Sequence, residues 1–209
     1  MAVLSRYGSL HASTRVWRRQ GRVHSDLWRP PKTFPPIRGG MDLSTDHLYR
    51  NALWCSWRDG KTMAWIMFNP STAHVSSFPA GHIAPDDTIA KIVGYTDRHR
   101  GGAFGSLHVV NLFSWRDPCR RCTLMQENPV GESDDAIRRA IGESDAVVIA
   151  WGGLREWSRR LNGKALAREE EVLEMLGDRP RLHLTKVDSG RFPGHPQRKS
   201  NRLTLHPWD

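Results

Sequence analysis

Small polar residues follow the most apolar segment of the chain, in a place where they could bind a ligand. Residues 63–68 (MAWIMF) read as a strand buried on both faces, and Asn69, Pro70, Ser71 and Thr72 come directly after it. Proline cannot continue a β-ladder, so the chain must leave the sheet there. The carboxyl ends of strands in open α/β sheets are where ligands bind. The segment therefore predicts a binding site.

Three further apolar segments end close to residues of similar chemistry. They are residues 107–112 (LHVVNL), which contain Asn111, residues 146–151 (AVVIAW), which lead into Trp151-Gly152, and residues 181–185 (RLHLT), which precede His195-Pro196. In a parallel sheet all four strand ends converge on one edge. A buried asparagine there could offer a donor and an acceptor to a ligand.

Each of these residues also has a purely structural interpretation. Asn69 could start a turn, since asparagine before proline commonly does so. Ser71 or Thr72 could cap a helix, and Asn111 could satisfy a local loop. Before the next helical pattern stand two acids, of which Asp87 is the expected cap, whereas Asp86 is free to activate water or to hold a metal.

The loop that contains His195 is basic. Residues 186–202 hold five basic residues and one acidic residue, a net charge of +4. Such a loop is suited to phosphate contacts. The candidate phosphate-binding residues are Lys186, Arg191, Arg198 and Lys199.

Helical patterns separate the four predicted strands. They cover residues 87–98, 133–141 and 154–176, and residues 47–57 form an opening element, either a helix or a short edge strand. Alternating strands and helices indicate βαβ units with right-handed crossovers. The sequence therefore predicts an α/β fold, a three-layer αβα sandwich on a four-stranded parallel sheet.

The positive charge is concentrated at the start of the 209-residue chain. Residues 1–40 carry eight basic residues and one acid, a net +7, whereas residues 41–209 carry 23 basic and 21 acidic residues, a net +2. Arginine-rich and broken by prolines, residues 1–40 are predicted to be disordered. They could bind nucleic acid, target an organelle, or extend a domain that naturally starts at Met41. Residues 41–209 are predicted to form a single α/β domain.

Several protein classes are excluded by missing motifs. No apolar run approaches the roughly 20 residues of a membrane span, and no secretory signal is recognisable. Neither a P-loop nor a dinucleotide-binding glycine motif is present, so no cofactor is expected. Three cysteines give no disulfide framework, which indicates a cytoplasmic location, and a lone CxxC pair at residues 119–122 is insufficient for a metal site.

A series of motifs resembles the family catalogued as domain of unknown function 1643. The resemblance covers about residues 45–205, in order. Its motifs are HLYRNALWCSW (residues 47–57), FNPSTA (68–73), DDT (86–88), VVNLFSWRDP (109–118), NPVG (128–131), AWG (150–152) and PGHP (193–196).

A more distant resemblance is to the uracil-DNA glycosylase superfamily, whose fold is an αβα sandwich on a four-stranded parallel sheet. It implies that Asn69, in FNPST, positions the attacking water. It also implies that Asn111 hydrogen-bonds the flipped base, and that Trp151-Gly152 matches the motif after the third strand.

The final motif of that superfamily matches His195-Pro196, and the resemblance implies that this loop stabilises the departing base. The chain differs from the superfamily at Ser71 and Thr72, where glycine is common. It differs again at Gln197, where the superfamily usually has a small serine.

The resulting hypothesis is a DNA base-excision enzyme that cleaves the N-glycosidic bond of a flipped, modified or deaminated base. The alternatives are a non-catalytic protein that binds a modified nucleotide and a hydrolase of small nucleosides. The expected partner is nucleic acid, most of all DNA. Asn69, His195 and Asp86 are the predicted catalytic residues, and the predicted base-binding residues are Asn111, Ser71, Thr72, Trp151, Gly152, Pro70 and Pro196.

Overall fold

A computed structural model describes residues 37–70, 87–99, 103–154, 159–184, 194–196 and 205–208. These residues form seven strands and four helices. They are β1 (Arg38–Leu43), β2 (Arg50–Ser56), β3 (Lys61–Met67), α1 (Asp87–Asp97), β4 (Phe104–Asn111), α2 (Arg120–Met125), α3 (Ser133–Gly142), β5 (Ala146–Ile149), α4 (Arg159–Leu176), β6 (Arg181–His183) and β7 (His206–Trp208).

The strands form one mixed sheet in the order β1-β2-β4-β3-β5-β6-β7. The four strands expected from the sequence are β3, β4, β5 and β6, and they pair in parallel at the centre of this sheet. The expectation of a four-stranded parallel sheet was nevertheless wrong, because β1, β2 and β7 extend the sheet with antiparallel pairs. The fold is thus mixed α/β.

The additional strands lack the apolar runs that mark the central strands. β1 is RGGMDL and β7 is HPW, so glycine and proline interrupt both. Tertiary pairing overrides these weak local preferences. The opening element is a strand rather than a helix, and β2 lies between β1 and β4 instead of at the edge.

The first strand crosses the boundary at residue 40 that the charge distribution indicated. It begins at Arg38, and Met41 lies inside it, opposite Leu53 of β2. Ile37, just before the strand, is only 8% exposed and belongs to the hydrophobic core. Paired structure therefore starts before Met41.

Helices cover both faces of the sheet, because alternate residues of β3 point to opposite sides. Met63, Trp65 and Met67 join the cluster that contains the apolar face of α1, including Ile92. Ala64, Ile66 and Phe68 join a second cluster with α2, α3 and α4. Within the described parts of the chain, no helix has both the length and the apolar composition needed to cross a membrane.

A buried arginine ties the chain segment after β4 to two helices. Arg168 of α4 is 3% exposed, and its Nε donates to the Leu112 carbonyl at 2.8 Å. Its Nη2 donates to Ser133 Oγ at 3.0 Å and pairs with Asp134, while Nη1 pairs with Glu171 at 2.7 Å. The strand end that carries Asn111 is held in place by this network.

Candidate functional site

The carboxyl ends of the three longest predicted strands are joined by backbone hydrogen bonds. Leu112 N donates to Met67 O at 2.8 Å, and Ala150 N donates to Ile66 O at 2.8 Å. Because the strands are parallel, Asn69-Pro70, Asn111 and Trp151-Gly152 follow neighbouring strands at one edge of the sheet. The structure brings these predicted site residues together.

The orientation of the Asn69 amide is fixed by two donated hydrogen bonds. Its Nδ2 donates to the Asp117 carbonyl and to Thr123 Oγ1, the latter at 3.1 Å. Pro70 O accepts from Asp117 N at 3.1 Å, which holds the same two segments together. With both N–H groups engaged, the remaining Asn69 Oδ1 accepts no hydrogen bond from a described residue and can accept one from water or a ligand.

Helix α2 supplies one partner of Asn69, and the CxxC pair lies at its start, with Cys119 as the N-cap residue. Thr123 is fully buried, and its hydroxyl donates to the Cys119 carbonyl at 3.3 Å. Cys119 and Cys122 form a disulfide, with Cα atoms 5.2 Å apart, a separation that suits a bridge. The sequence did not indicate this bridge, because an odd number of cysteines argued against a disulfide framework.

Asp117 lies beside the two cysteines, and the three potential ligand atoms are within 4.8 Å of one another. Metal binding requires cysteine thiolates, and a disulfide contains none. The third cysteine, Cys55, is buried in β2, where desolvation raises the pKa of its thiol to about 12. Cys55 is therefore uncharged at neutral pH and is a poor nucleophile.

Asn111 is a buried amide without a hydrogen-bond partner among the residues that the structure describes. The residue is 0% exposed, and neither Nδ2 nor Oδ1 is paired with any group in the part of the chain that the structure describes. It is the last residue of β4 and lies opposite Met67 of β3. Buried polar side chains are satisfied in the great majority of cases, so an amide with both groups unpaired suggests a missing ligand.

Trp151 is placed in the core rather than in a position to contact a ligand. Its side chain is 0% exposed, and its Nε1 donates to Glu169 Oε1 of α4 at 2.9 Å. Its structural effect is to anchor the start of the loop after β5. This loop then turns at Gly152.

Gly152 has a positive φ of 78°, which favours glycine. A Cβ atom there would lie 3.1 Å from Arg120 Nη2 and 3.2 Å from the Cβ of His195. The absent side chain thus lets Arg120 and His195 approach the backbone closely. His195 is half-buried and Pro196 is buried, so the histidine loop reaches the same edge of the sheet.

Arg120 is the functional candidate that the sequence interpretation missed. Its guanidinium carbon lies 4.8 Å from the centre of the Phe68 ring, and Phe68 directly precedes Asn69. Contacts thus link Asn69, through Phe68, to Arg120 and on to Gly152 and His195. In the sequence, Arg120 stands within the CxxC segment, which was considered only for its cysteines. This segment follows β4, and the end of β4 was predicted to lie at the site.

Seven predicted site residues lie outside the described residues. They are Ser71, Thr72, Asp86, Lys186, Arg191, Arg198 and Lys199.

Comparison with known proteins gives a family but no characterised relative. The searches of curated proteins and of solved structures each gave no significant match. Residues 50–197 match the family described as "Protein of unknown function (DUF1643)". The matched segment runs from β2 to the His195 loop and is well over half of the 209 residues. The chain therefore belongs to the DUF1643 family.

Proposed function

We propose that this protein hydrolyses the N-glycosidic bond of a modified or deaminated base flipped out of DNA. The observation that carries the proposal is the buried amide of Asn111 at the carboxyl edge of the sheet, which has no hydrogen-bond partner among the described residues. A nucleobase edge presents donors and acceptors side by side, and a side-chain amide can pair with both. Enzymes that act on a base in duplex DNA first take it out of the stack and into such a pocket.

Asn69 would hold the attacking water. Its Nδ2 is already committed to Asp117 and Thr123, which leaves Oδ1 to accept a hydrogen bond from that water. The water oxygen then forms a bond to the sugar C1′ while the C1′–N bond breaks, and the bonding electron pair leaves with the base. In this proposal the Asp86 carboxylate would accept the proton that the attacking water loses, and the departed base would take up a proton from solvent. Ser71, Thr72 and Pro70 would form the floor of the base pocket.

Hydrogen-bond donors would stabilise the electron pair on the departing base. His195 and Arg120 flank Gly152, and Arg120 also stacks on Phe68. Preorganised donors aimed at developing negative charge supply the largest single contribution in many enzymes. Pro196 would fix the histidine loop. Trp151 would act only by anchoring the loop that contains Gly152.

Contacts to DNA outside the pocket are assigned to Lys186, Arg191, Arg198 and Lys199. Lysine and arginine contacts to phosphates release counterions, so binding would weaken as salt increases. The resemblance to the uracil-DNA glycosylase superfamily supports the proposal through the NP, Asn, WG and HP motifs in order. The four parallel strands at the centre of the sheet agree with that comparison.

The experiment uses the full chain and oligonucleotides that carry uracil, hypoxanthine or an alkylated base. Abasic sites would be detected by alkaline strand cleavage. We expect cleavage with at least one substrate, and a decrease of about 100-fold or more for Asn69→Ala and for His195→Ala. Asn128→Ala is the matched control, since Asn128 lies outside the site and its Oδ1 only accepts from Gly131 N at 3.1 Å.

Equal strand cleavage by the wild type and by both variants would overturn the assignment of Asn69 and His195. Absence of binding to any oligonucleotide at low salt would overturn the assignment of DNA as substrate.

A hydrolase of free nucleosides is the second candidate. The net charge of residues 41–209 is only +2, which is low for a protein that grips a DNA backbone. Release of base from free modified nucleosides, measured by chromatography, separates the two candidates. A substrate that is cleaved equally well free and within an oligonucleotide would favour the small-molecule activity.

A further inference from the structure

A cavity opens at the end of the parallel strands opposite to the Asn69 end. Its volume is about 390 Å³, within the range of small-molecule sites. Lys61 and Phe104 are the first residues of β3 and β4, and both line it. Seven residues of β3 separate this end from the Asn69 end, which places the cavity about 20 Å from the candidate site at about 3.3 Å per residue.

The frame of this cavity is fixed by hydrogen bonds. Asp145 N donates to Thr62 O at 2.9 Å, and Thr62 N donates back to Asp145 Oδ2 at 2.8 Å. Arg179 Nη1 donates to the carbonyls of Ile141, at 2.6 Å, and Ser144, at 3.4 Å. The lining is therefore organised before any ligand binds, which lowers the entropic cost of binding.

The lining carries more positive than negative charge. Lys61 and Arg179 contribute two cations, and Asp145 contributes the single carboxylate. In the described part of the chain, the Lys61 ammonium group takes part in no ion pair. Arg179 uses only Nη1 in its bonds to the two carbonyls, which leaves the N–H groups of Nε and Nη2 for an anion.

The remaining lining suits an organic group rather than a bare ion. Phe104, Val147 and Leu182 contribute apolar surface. His99 also lines the cavity, and its ring centre lies 5.7 Å from that of Phe104. Partial burial lowers the pKa of His99, so its ring is neutral at pH 7.5 and adds a polar group without charge.

We propose that this cavity binds a small organic phosphate, with the phosphate between Lys61 and Arg179 and the organic part against Phe104 and Leu182. Arginine and lysine together form a common phosphate-binding pair, the first by a planar fork and the second as a point charge. The site is separate from the proposed glycosidase site and does not depend on it.

Phenyl phosphate is the probe, titrated against the full chain in a buffer of low ionic strength and followed by isothermal titration calorimetry. We expect saturable binding that is stronger than that of inorganic phosphate or phenol alone. Lys61→Met should weaken it about tenfold, because a charge-assisted contact is lost. Lys91→Met, which removes the same charge from α1, should change it by less than about twofold.

Leu182→Phe should abolish binding, because the larger ring fills the cavity. Circular dichroism and the melting temperature verify that each variant is folded, and base excision by Lys61→Met should equal that of the wild type. Non-saturable binding of phenyl phosphate, or unchanged binding by Lys61→Met, would overturn the proposal. The proposal would also be overturned if the cavity bound only oligonucleotides with a 5′-phosphate. In that case its ligand would be the end of a nucleic acid.

Discussion

At the scale of single residues, the two asparagines of the site differ in how they are bonded. The Asn69 amide donates two hydrogen bonds, whereas the buried Asn111 amide has none among the described residues. An unpaired buried amide costs stability, and proteins retain such groups where function requires them. Replacement by leucine should therefore change the free energy of unfolding in opposite directions at the two positions.

Asn111→Leu is expected to raise the free energy of unfolding by about 1 to 2 kcal/mol, because it removes an unsatisfied buried amide without changing the volume greatly. It should also abolish base excision. Asn69→Leu is the matched comparison and should lower the free energy of unfolding by about 1 to 2 kcal/mol, since two donated hydrogen bonds are lost. Urea unfolding followed by circular dichroism measures both. A clear destabilisation by Asn111→Leu would show that the amide is bonded within the folded chain.

Gly152→Ala tests the close approach of Arg120 and His195. Alanine is strained at a φ of 78°, and its Cβ would stand 3.1 to 3.2 Å from both neighbours. We expect a loss of about 1 kcal/mol in stability and of about tenfold or more in base excision.

The control for this change is Gly163→Ala in α4, where nothing lies within 4 Å of the added Cβ. That variant should gain about 0.5 to 1 kcal/mol from helix propensity and keep its activity. Wild-type excision by Gly152→Ala would remove this loop from the proposed mechanism.

At the scale of elements, the buried Arg168 joins α3, α4 and the end of β4. Arg168→Met would leave the Leu112 carbonyl and the Ser133 hydroxyl without their donor. We expect the free energy of unfolding to fall by about 3 kcal/mol. Arg138→Met is the control, because its ion pair with Asp135 spans 3.9 Å between exposed groups and should contribute less than about 0.5 kcal/mol. Similar losses for the two variants would argue against the network.

The pKa values of two histidines near the sheet determine how the stability of the protein changes with pH. Desolvation lowers the pKa of His108 in β4 and outweighs the opposite effect of Glu143, and desolvation also lowers the pKa of His99. The unfolded chain therefore binds more protons than the folded chain once the pH falls below about 6.5. Stability should decline from pH 7.5 to pH 5.5 in urea unfolding series. His108→Gln should reduce that decline, and an unaltered pH profile would contradict the assignment.

The sequence predicted those elements whose burial follows a regular pattern, either continuous along a strand or repeated at helical spacing. β3, β4 and β5 were found because largely apolar runs mark strands covered on both faces, and α3 because Ala136, Ile137 and Ala140 recur at helical spacing. β1, β7 and α2 were not found, since they are short and stabilised by pairing or packing with distant segments. Asn69 and Asn111 were predicted from strand ends, whereas Arg120 depended on the tertiary contact with Phe68.

At the scale of the whole molecule, strand β1 begins within the basic first 40 residues of the chain. Arg38, Gly39 and Gly40 pair with Ser56, Cys55 and Trp54, and Ile37 packs into the core. A chain that starts at Met41 would lose these contacts. We expect its free energy of unfolding to be about 2 kcal/mol lower than that of a chain that starts at residue 37, because strand pairing and burial are lost. Equal urea midpoints for the two chains would show that the start of β1 contributes nothing.

The last strand of the sheet has a consequence for self-association. β7 consists of three residues, and its central residue is Pro207, which has no N–H to donate. Long, flat edges recruit strands from neighbouring molecules and lead to aggregation, whereas short edges that contain proline resist it. Among the described strands, the β7 edge of the sheet is therefore a poor template for a strand from another chain.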